Sequence, residues 1–314
     1  MPSNSIQKIP FYQVDAFAPK LFSGNPAAVF LCDEALTDEQ YLNIAREMYL
    51  PETTFLRPLF DSNYSKVEEK GQKKDPKKDP NWQTAKLFEV RWFMVDEETN
   101  LCGHATLAAA HVIFEEIKSI HTEINFRTRS GDLFIKKEDF EGKPNFIKMQ
   151  FPVEESFEEK NPPSNLLKSL GIENQKINSA AYFPKKQTWI LEFENREELE
   201  NLNPNFEELV KNSYEIPVKK VGITVKGDIN QKYDFISRLF CPWIGINEDA
   251  LSAVSHGLFA KYWQSKLNKT SFFAYQASKR GGEIHLQLLK ENGKDNQVLL
   301  IGKGITTLEG NGRI

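Results

Sequence analysis

Leu101-Cys102-Gly103-His104-Ala105-Thr106-Leu107-Ala108-Ala109-Ala110-His111-Val112-Ile113-Phe114 is the stretch on which the fold turns. After Gly103 it is apolar on nearly every side. A helix without a polar face cannot lie on a surface, so other elements must surround it. The segment is also far shorter than the roughly 20 residues a membrane span needs. A second apolar helix carries Leu251, Val254, Leu258, Phe259 and Tyr262 as its stripe. The fold therefore has two helices that need wrapping.

Strand-like sequence supplies the wrapping. Phe11–Phe17 and Ala27–Leu31 read as strands on either side of the turn signal Ser23-Gly24-Asn25-Pro26. Thr37 and Gln40 form a capping box for a helix with Tyr41, Ile44, Ala45 and Met48 on one face, and Pro51 stops it. Glu52 then stands at the joint with a short strand, Thr53–Leu56. Further strands are expected at 86–93, 123–129, 132–137, 146–151, 180–183, 188–193, 221–225, 233–240, 272–277, 283–289, 297–301 and 304–308. Short helices are expected at Asn165–Leu170 and Pro204–Lys211. Strands do not alternate regularly with helices, which argues against a doubly wound parallel sheet and for an α+β protein. Each half places a His- or acid-bearing turn just before its apolar helix, a faint internal echo.

Composition narrows the class. The 314 residues carry 40 Lys+Arg against 44 Asp+Glu, a net charge of −4 that gives no electrostatic footprint for nucleic acid or anionic membrane. With 40% hydrophobic and 27% charged residues the chain has ordinary globular values. Cys32, Cys102 and Cys241 form no CxxC pair and fit a reducing compartment. Met1–Pro10 has no apolar core of a signal peptide, so the expected location is cytoplasmic. Residues 61–81, with the tandem Lys73-Lys74-Asp75-Pro76 and Lys77-Lys78-Asp79-Pro80, read as a solvated surface-loop insertion.

Three residues stand where chemistry is possible. His104 lies at the mouth of a buried helix, where unpaired N–H groups attract anions; a backbone-capping histidine is the plainer reading. Asp249 precedes the second apolar helix at what reads as an N-cap. Glu52 is either a solvated carboxylate or one tucked at a strand start with a raised pKa. Ser252, Ser255, His256 and Asp249 hold hydrolase residue types, but crowd on one turn without a GxSxG elbow. The five histidines lack metal-ligand spacing, and no metal is expected. Gly302-Lys303-Gly304 is not a phosphate loop. Ser278-Lys279-Arg280-Gly281-Gly282 is either an anion cradle or a hairpin turn.

Taken in order, several motifs resemble the phenazine-biosynthesis (PhzF-like) family. They are Val14-Asp15-Ala16-Phe17, Gly24-Asn25-Pro26-Ala27-Ala28-Val29, Ala45-Arg46-Glu47-Met48, Glu52-Thr53-Thr54-Phe55, Arg91-Trp92-Phe93 and Leu101–Leu107. Ser237-Arg238-Leu239-Phe240, Gly245-Ile246-Asn247-Glu248-Asp249, Tyr262-Trp263 and Tyr275–Gly282 follow, so the resemblance spans about residues 11 to 310. It implies the diaminopimelate-epimerase-like fold: two similar lobes, each a curved sheet or barrel around a central helix, with the site in the cleft between them. The lobes would comprise 1–126 with 300–314, and 127–299.

The resemblance also implies a homodimeric, cofactor-independent isomerase that moves a proton and a double bond in a small carboxylate-bearing metabolite. Glu52 would be the general acid/base, His104 its assistant and Asp249 a further catalytic residue that helps hold substrate. Asn25, Cys102, Gly103, Ser252 and Ala253 would line the substrate site. Cys102 falls where related epimerases carry one of two catalytic thiols. The partner thiol's position is held by Ala250 or Leu251, which disfavours a Cys-dependent racemase. One departure stands out. The family's run after its Glu-Asp pair is replaced by Ala250-Leu251-Ser252-Ala253-Val254-Ser255-His256, where Ala253 stands for glycine and Val254 for serine. That change supports a second expectation, a catalytically silent protein that binds a ligand or a protein.

Overall fold

Backbone contacts divide the chain into two units in a computed structural model that describes residues 7–60, 76–77, 79–172, 177–227, 232–291 and 293–314. One unit holds the described residues up to Phe22, Pro26–Gln150 and Ile301–Ile314; the other holds Ser23–Asn25 and Phe151–Leu300. The division therefore falls after Gln150 rather than after residue 126. The reason is strand pairing: the strands at 123–128, 131–140 and 143–152 extend the first unit's sheet one after another.

In chain order the first unit contributes β1 (Lys8–Ala16), β2 (Asn25–Leu31), α1 (Asp38–Met48), β3 (Glu52–Leu59), α2 (Pro80–Thr84), β4 (Leu87–Phe93), β5 (Glu98–Thr99), α3 (Gly103–His111), β6 (Glu123–Thr128), β7 (Gly131–Phe140) and β8 (Lys143–Pro152). The strand Gly304–Arg313 returns to pair antiparallel with β1, Lys8 opposite Arg313 and Ala16 opposite Gly304. β1 pairs with β2, β2 runs parallel to β3, and β3 is antiparallel to β4. β4 is parallel to β6, and β6, β7 and β8 follow antiparallel.

Alternation along these strands separates two faces. Ala28, Phe30, Phe55 and Phe93 pack with Tyr41 and Ala45 of α1, whose capping box of Thr37 and Gln40 forms as the sequence predicts. On the other face Thr54 Oγ1 donates to the Ala105 carbonyl at 3.5 Å, tying β3 to α3. Every residue of α3 is buried, and the chain continues as a π-helical turn, Val112–Glu116. Each of Leu107, Ile113 and Phe114, at most 1% exposed, contributes roughly 1.5–3 kcal/mol by burial.

Of the insertion read at 61–81, residues 61–75 and 78 lie outside the described residues. Its end is not loop: Asp79 caps α2 by accepting from the Asn81 N–H.

The second unit adds β9 (Glu158–Glu159), α4 (Ser164–Leu170), β10 (Ile177–Phe183), β11 (Thr188–Phe193), α5 (Arg196–Asn201), α6 (Phe206–Lys211), β12 (Lys220–Lys226), β13 (Phe235–Cys241), β14 (Ile246–Glu248), α7 (Ala253–Leu267), β15 (Ser271–Gln276), β16 (Gly282–Glu291) and β17 (Lys294–Gly302). Its sheet runs β9–β10–β11–β12–β13–β15–β16, with β11–β12 and β13–β15 parallel. The helix α5 is absent from the sequence expectations. Asn195 caps its start, and the buried Arg238 guanidinium donates to the Leu199 and Leu202 carbonyls at its end.

Alternation again sorts the faces. Val221, Ile223, Val225, Ile236 and Phe240 join Leu166, Leu170 and Leu209 in one core. Gly222, Thr224, Phe235 and Ser237 point the other way, toward α7. Trp263 Nε1 donates to Thr224 Oγ1 at 3.0 Å, and Phe235 stacks on Trp263. Gly222 is glycine because α7 comes so close: a Cβ there would lie 2.5 Å from Phe259 Cζ. Phe259 is itself packed by Phe235 and His256, so the ring has nowhere to move. Gly222→Val is expected to destabilise the protein by about 1–3 kcal/mol through overpacking, read as a lower denaturant midpoint at unchanged m-value.

Candidate active site

Glu52 owes its place to a stop and a register. α1 ends on Tyr49 in the left-handed region (φ 49°), Pro51 prevents continuation, and Glu52 opens β3 opposite Ala27 of β2. Thr53 and Thr54, both fully buried, anchor the strand immediately behind it. Cys102 is the N-cap of α3, without a side-chain capping hydrogen bond, and its carbonyl accepts from the Thr106 N–H and hydroxyl. Gly103 and His104 form the first turn.

The fold thereby joins residues far apart in sequence. His104 Nε2 lies 2.9 Å from Glu52 Oε2, and Cys102 Sγ lies 3.5 Å from His104 Nδ1. His104 is thus not a backbone cap: both ring nitrogens face side chains. The Glu52 side chain is 14% exposed and that of His104 7%. Burial opposes a charged imidazole, and so does the positive end of α3. The field and hydrogen bonds of Cys102 and Glu52 outweigh burial, raising the His104 pKa well above its ordinary 6.5. Burial, reinforced by the Glu52 charge, raises the Cys102 pKa as well. Glu52 and His104 are the acid–base pair of this site. Such a pair can take a proton from carbon and return it elsewhere.

These three groups also form a donor set that sequence spacing hides. One ligand atom each of Glu52, Cys102 and His104 lie within 4.8 Å of one another.

In the second unit Asp249 does not cap α7. The helix starts at Ala253 with Ser252 as N-cap, because the Ser252 carbonyl takes both the His256 N–H at 3.0 Å and His256 Nδ1 at 2.8 Å. Asp249 instead accepts from Asn25 Nδ2 at 2.8 Å, and the same amide donates to the Leu251 carbonyl at 3.0 Å. Gln276, wholly buried, spans the turn: Nε2 donates to the Asp249 carbonyl and Oε1 accepts from the Ser252 N–H. Ser252 Oγ donates to Ser255 Oγ. Residues 250–255 thus build an ordered turn, with Ala253 buried and Val254 half-buried in the first turn of α7. The Asn25 and Asp249 side chains meet directly. Gln276 and Ser237 are additions that residue type alone does not reveal.

His256 is locked as one tautomer. A carbonyl only accepts, so Nδ1 carries the proton to Ser252; Nε2 then accepts from Ser237 Oγ at 3.2 Å. Burial lowers its pKa to about 4. The turn Ser278–Gly281 resolves as a turn, since the Gly281 N–H returns to Ser278 and the Arg280 guanidinium donates to the carbonyls of Gly24 and Ser23.

The two histidines give opposite pH dependences. The stabilisation from His104 is complete below its ordinary value of 6.5 and is lost as pH rises through its elevated folded pKa. His256 stays neutral in the folded state while the unfolded chain takes up a proton. Stability therefore falls as pH drops from 6.5 toward about 4. Ring resonances followed by NMR should show His104 protonated above pH 6.5. Glu52→Gln should lower that titration and leave His256 unmoved.

Residues 14–310 match the family model described as phenazine biosynthesis-like protein, PhzC-PhzF. The chain is 35% identical over 300 residues to an uncharacterized isomerase from Halalkalibacterium halodurans, covering 95% of this chain and 96% of that one. A solved structure of a PhzF-family phenazine biosynthesis protein from Enterococcus faecalis aligns with a TM-score of 0.78 at 28% identity, over 98% of this chain and all of that one. A hydroxyproline epimerase from Agrobacterium vitis aligns at 11% identity and a TM-score of 0.58, over 98% of this chain and 93% of that one, a likeness of fold. The α+β fold is the diaminopimelate-epimerase-like one. No helix among the described residues is long and apolar enough to cross a membrane.

Proposed function

The chain belongs to the phenazine biosynthesis-like (PhzF) family, and on that footing we propose that it is a cofactor-independent isomerase using Glu52 as general acid/base on a small carboxylate-bearing metabolite. The observation that carries the proposal is the 2.9 Å pair between Glu52 and the buried His104 at the start of α3. Glu52 takes a proton from one carbon of the substrate, and the adjacent imidazole sets the carboxylate's charge and orientation. The same carboxyl group then returns the proton to another carbon, so no co-reactant is consumed.

In this reading Asp249 holds substrate, with Asn25 orienting it through the 2.8 Å bond. Cys102, Gly103, Ser252 and Ala253 are assigned to substrate contact. A helix start offers N–H groups to a carboxylate. The reading includes a cytoplasmic location and a homodimer, the second of which sedimentation of the purified chain tests.

The second reading is a silent binding protein, and the observation favouring it is Ala253 and Val254 in the first turn of α7. A Cys-dependent racemase has less support, because Leu251 is fully buried and neither it nor Ala250 can serve as the second acid.

Carboxylate metabolites incubated with the protein in heavy water should include one that incorporates deuterium. Glu52→Gln should reduce that incorporation by about 10²–10⁴-fold, and Asp249→Asn should raise KM more than it lowers kcat. Cys102→Ala should leave substantial exchange. Undiminished exchange by Glu52→Gln would overturn the mechanism; ligand binding without exchange would establish the silent reading.

A further inference from the structure

The donor set at the start of α3 has a chemistry that proton transfer does not use. Sulfur, imidazole nitrogen and carboxylate oxygen are the ligands zinc prefers, and here all three belong to buried or nearly buried side chains. A tetrahedral zinc with ordinary bond lengths separates its sulfur and nitrogen ligands by about 3.6 Å. Cys102 Sγ and His104 Nδ1 already lie 3.5 Å apart. On the far side of the ring, Glu52 Oε2 lies 2.9 Å from Nε2. A carboxylate in that position fixes the tautomer that leaves Nδ1 to the metal and raises its basicity.

We propose that Cys102 and His104 Nδ1 bind a thiophilic divalent cation such as zinc, with Glu52 backing the imidazole, and that this cation inhibits the protein. Binding replaces the thiol proton and the Nδ1 proton by bonds to the metal, and both protons leave to solvent. No oxidation state changes. The cation takes up Cys102, which the isomerase reading assigns to substrate contact, and holds His104 as a ligand that can no longer gain or lose its Nδ1 proton as Glu52 changes charge. Inhibition therefore rests on the proposed isomerase mechanism, whereas cation binding stands on the donor geometry alone.

The test is a titration of the metal-free full chain with Co²⁺, without substrate. The expected result is a near-ultraviolet thiolate-to-cobalt charge-transfer band that Zn²⁺ bleaches. Cys102→Ala should remove the band, and the double variant Cys32→Ala/Cys241→Ala, which keeps only Cys102, should retain it. Glu52→Gln should weaken the titration roughly 10–100-fold. No thiolate band in the wild-type chain, survival of the band in Cys102→Ala, or its loss in a folded double variant overturns the site. Deuterium exchange measured separately in chelator-treated buffer tests the isomerase mechanism, so the two can fail independently. If exchange is present and Zn²⁺ leaves it unchanged while bleaching the cobalt band, the inhibitory part is wrong.

Discussion

The burial of α3 is the constraint from which the first unit follows. A helix with no polar face must be surrounded, and alanines at 105, 108, 109 and 110 let neighbouring backbone come close. The closeness shows at Gly304, where a Cβ would lie 2.8 Å from His111 Cγ. Enclosure also sets the chemistry. A helix start buried this deeply must have its polar groups matched, so His104 is placed where both nitrogens find side-chain partners. The same low-dielectric surroundings that strengthen the Glu52–His104 pair make its members sensitive to the loss of either one.

The second unit meets a similar demand with different residues. Its helix turns a mixed face to the sheet, with Trp263 and His256 hydrogen-bonded to Thr224 and Ser237. Three amide and imidazole side chains, Asn25, Gln276 and His256, organise the turn before α7. A neutral imidazole suits the task, since a charged one would give Nε2 a proton and lose the Ser237 hydroxyl as donor. The 250–255 segment is thus ordered without a glycine at position 253.

Much of this architecture was legible in the residues. The apolar run after Gly103, the Thr37–Gln40 box and the Pro51 stop each encode a local preference that packing reinforces. α5 was not legible, because a short acidic run has no apolar periodicity; its end is completed by Arg238 from a distant strand. The N-cap of α7 was misplaced at Asp249, since residue type marks a capable cap without saying where the carbonyl of Ser252 will be taken. For the site, the motif pointed to Glu52 and His104 separately. The Glu52–His104 contact depends on β3 lying against the start of α3, where Thr54 meets Ala105, which no local pattern specifies; the Cys102–Nδ1 contact spans two residues and needs α3 to begin at Gly103.

The pairing of β1 with Gly304–Arg313 has a consequence for biogenesis. β1 is synthesised before the second unit, yet its antiparallel partner follows the whole of Phe151–Leu300. During synthesis one edge of β1 therefore stays unsatisfied while the second unit is being made, and a ladder of such long sequence separation closes slowly. Exposed strand edges invite association with other chains. Newly made copies should thus depend on chaperones more than they would if β1 closed on a strand near it in sequence.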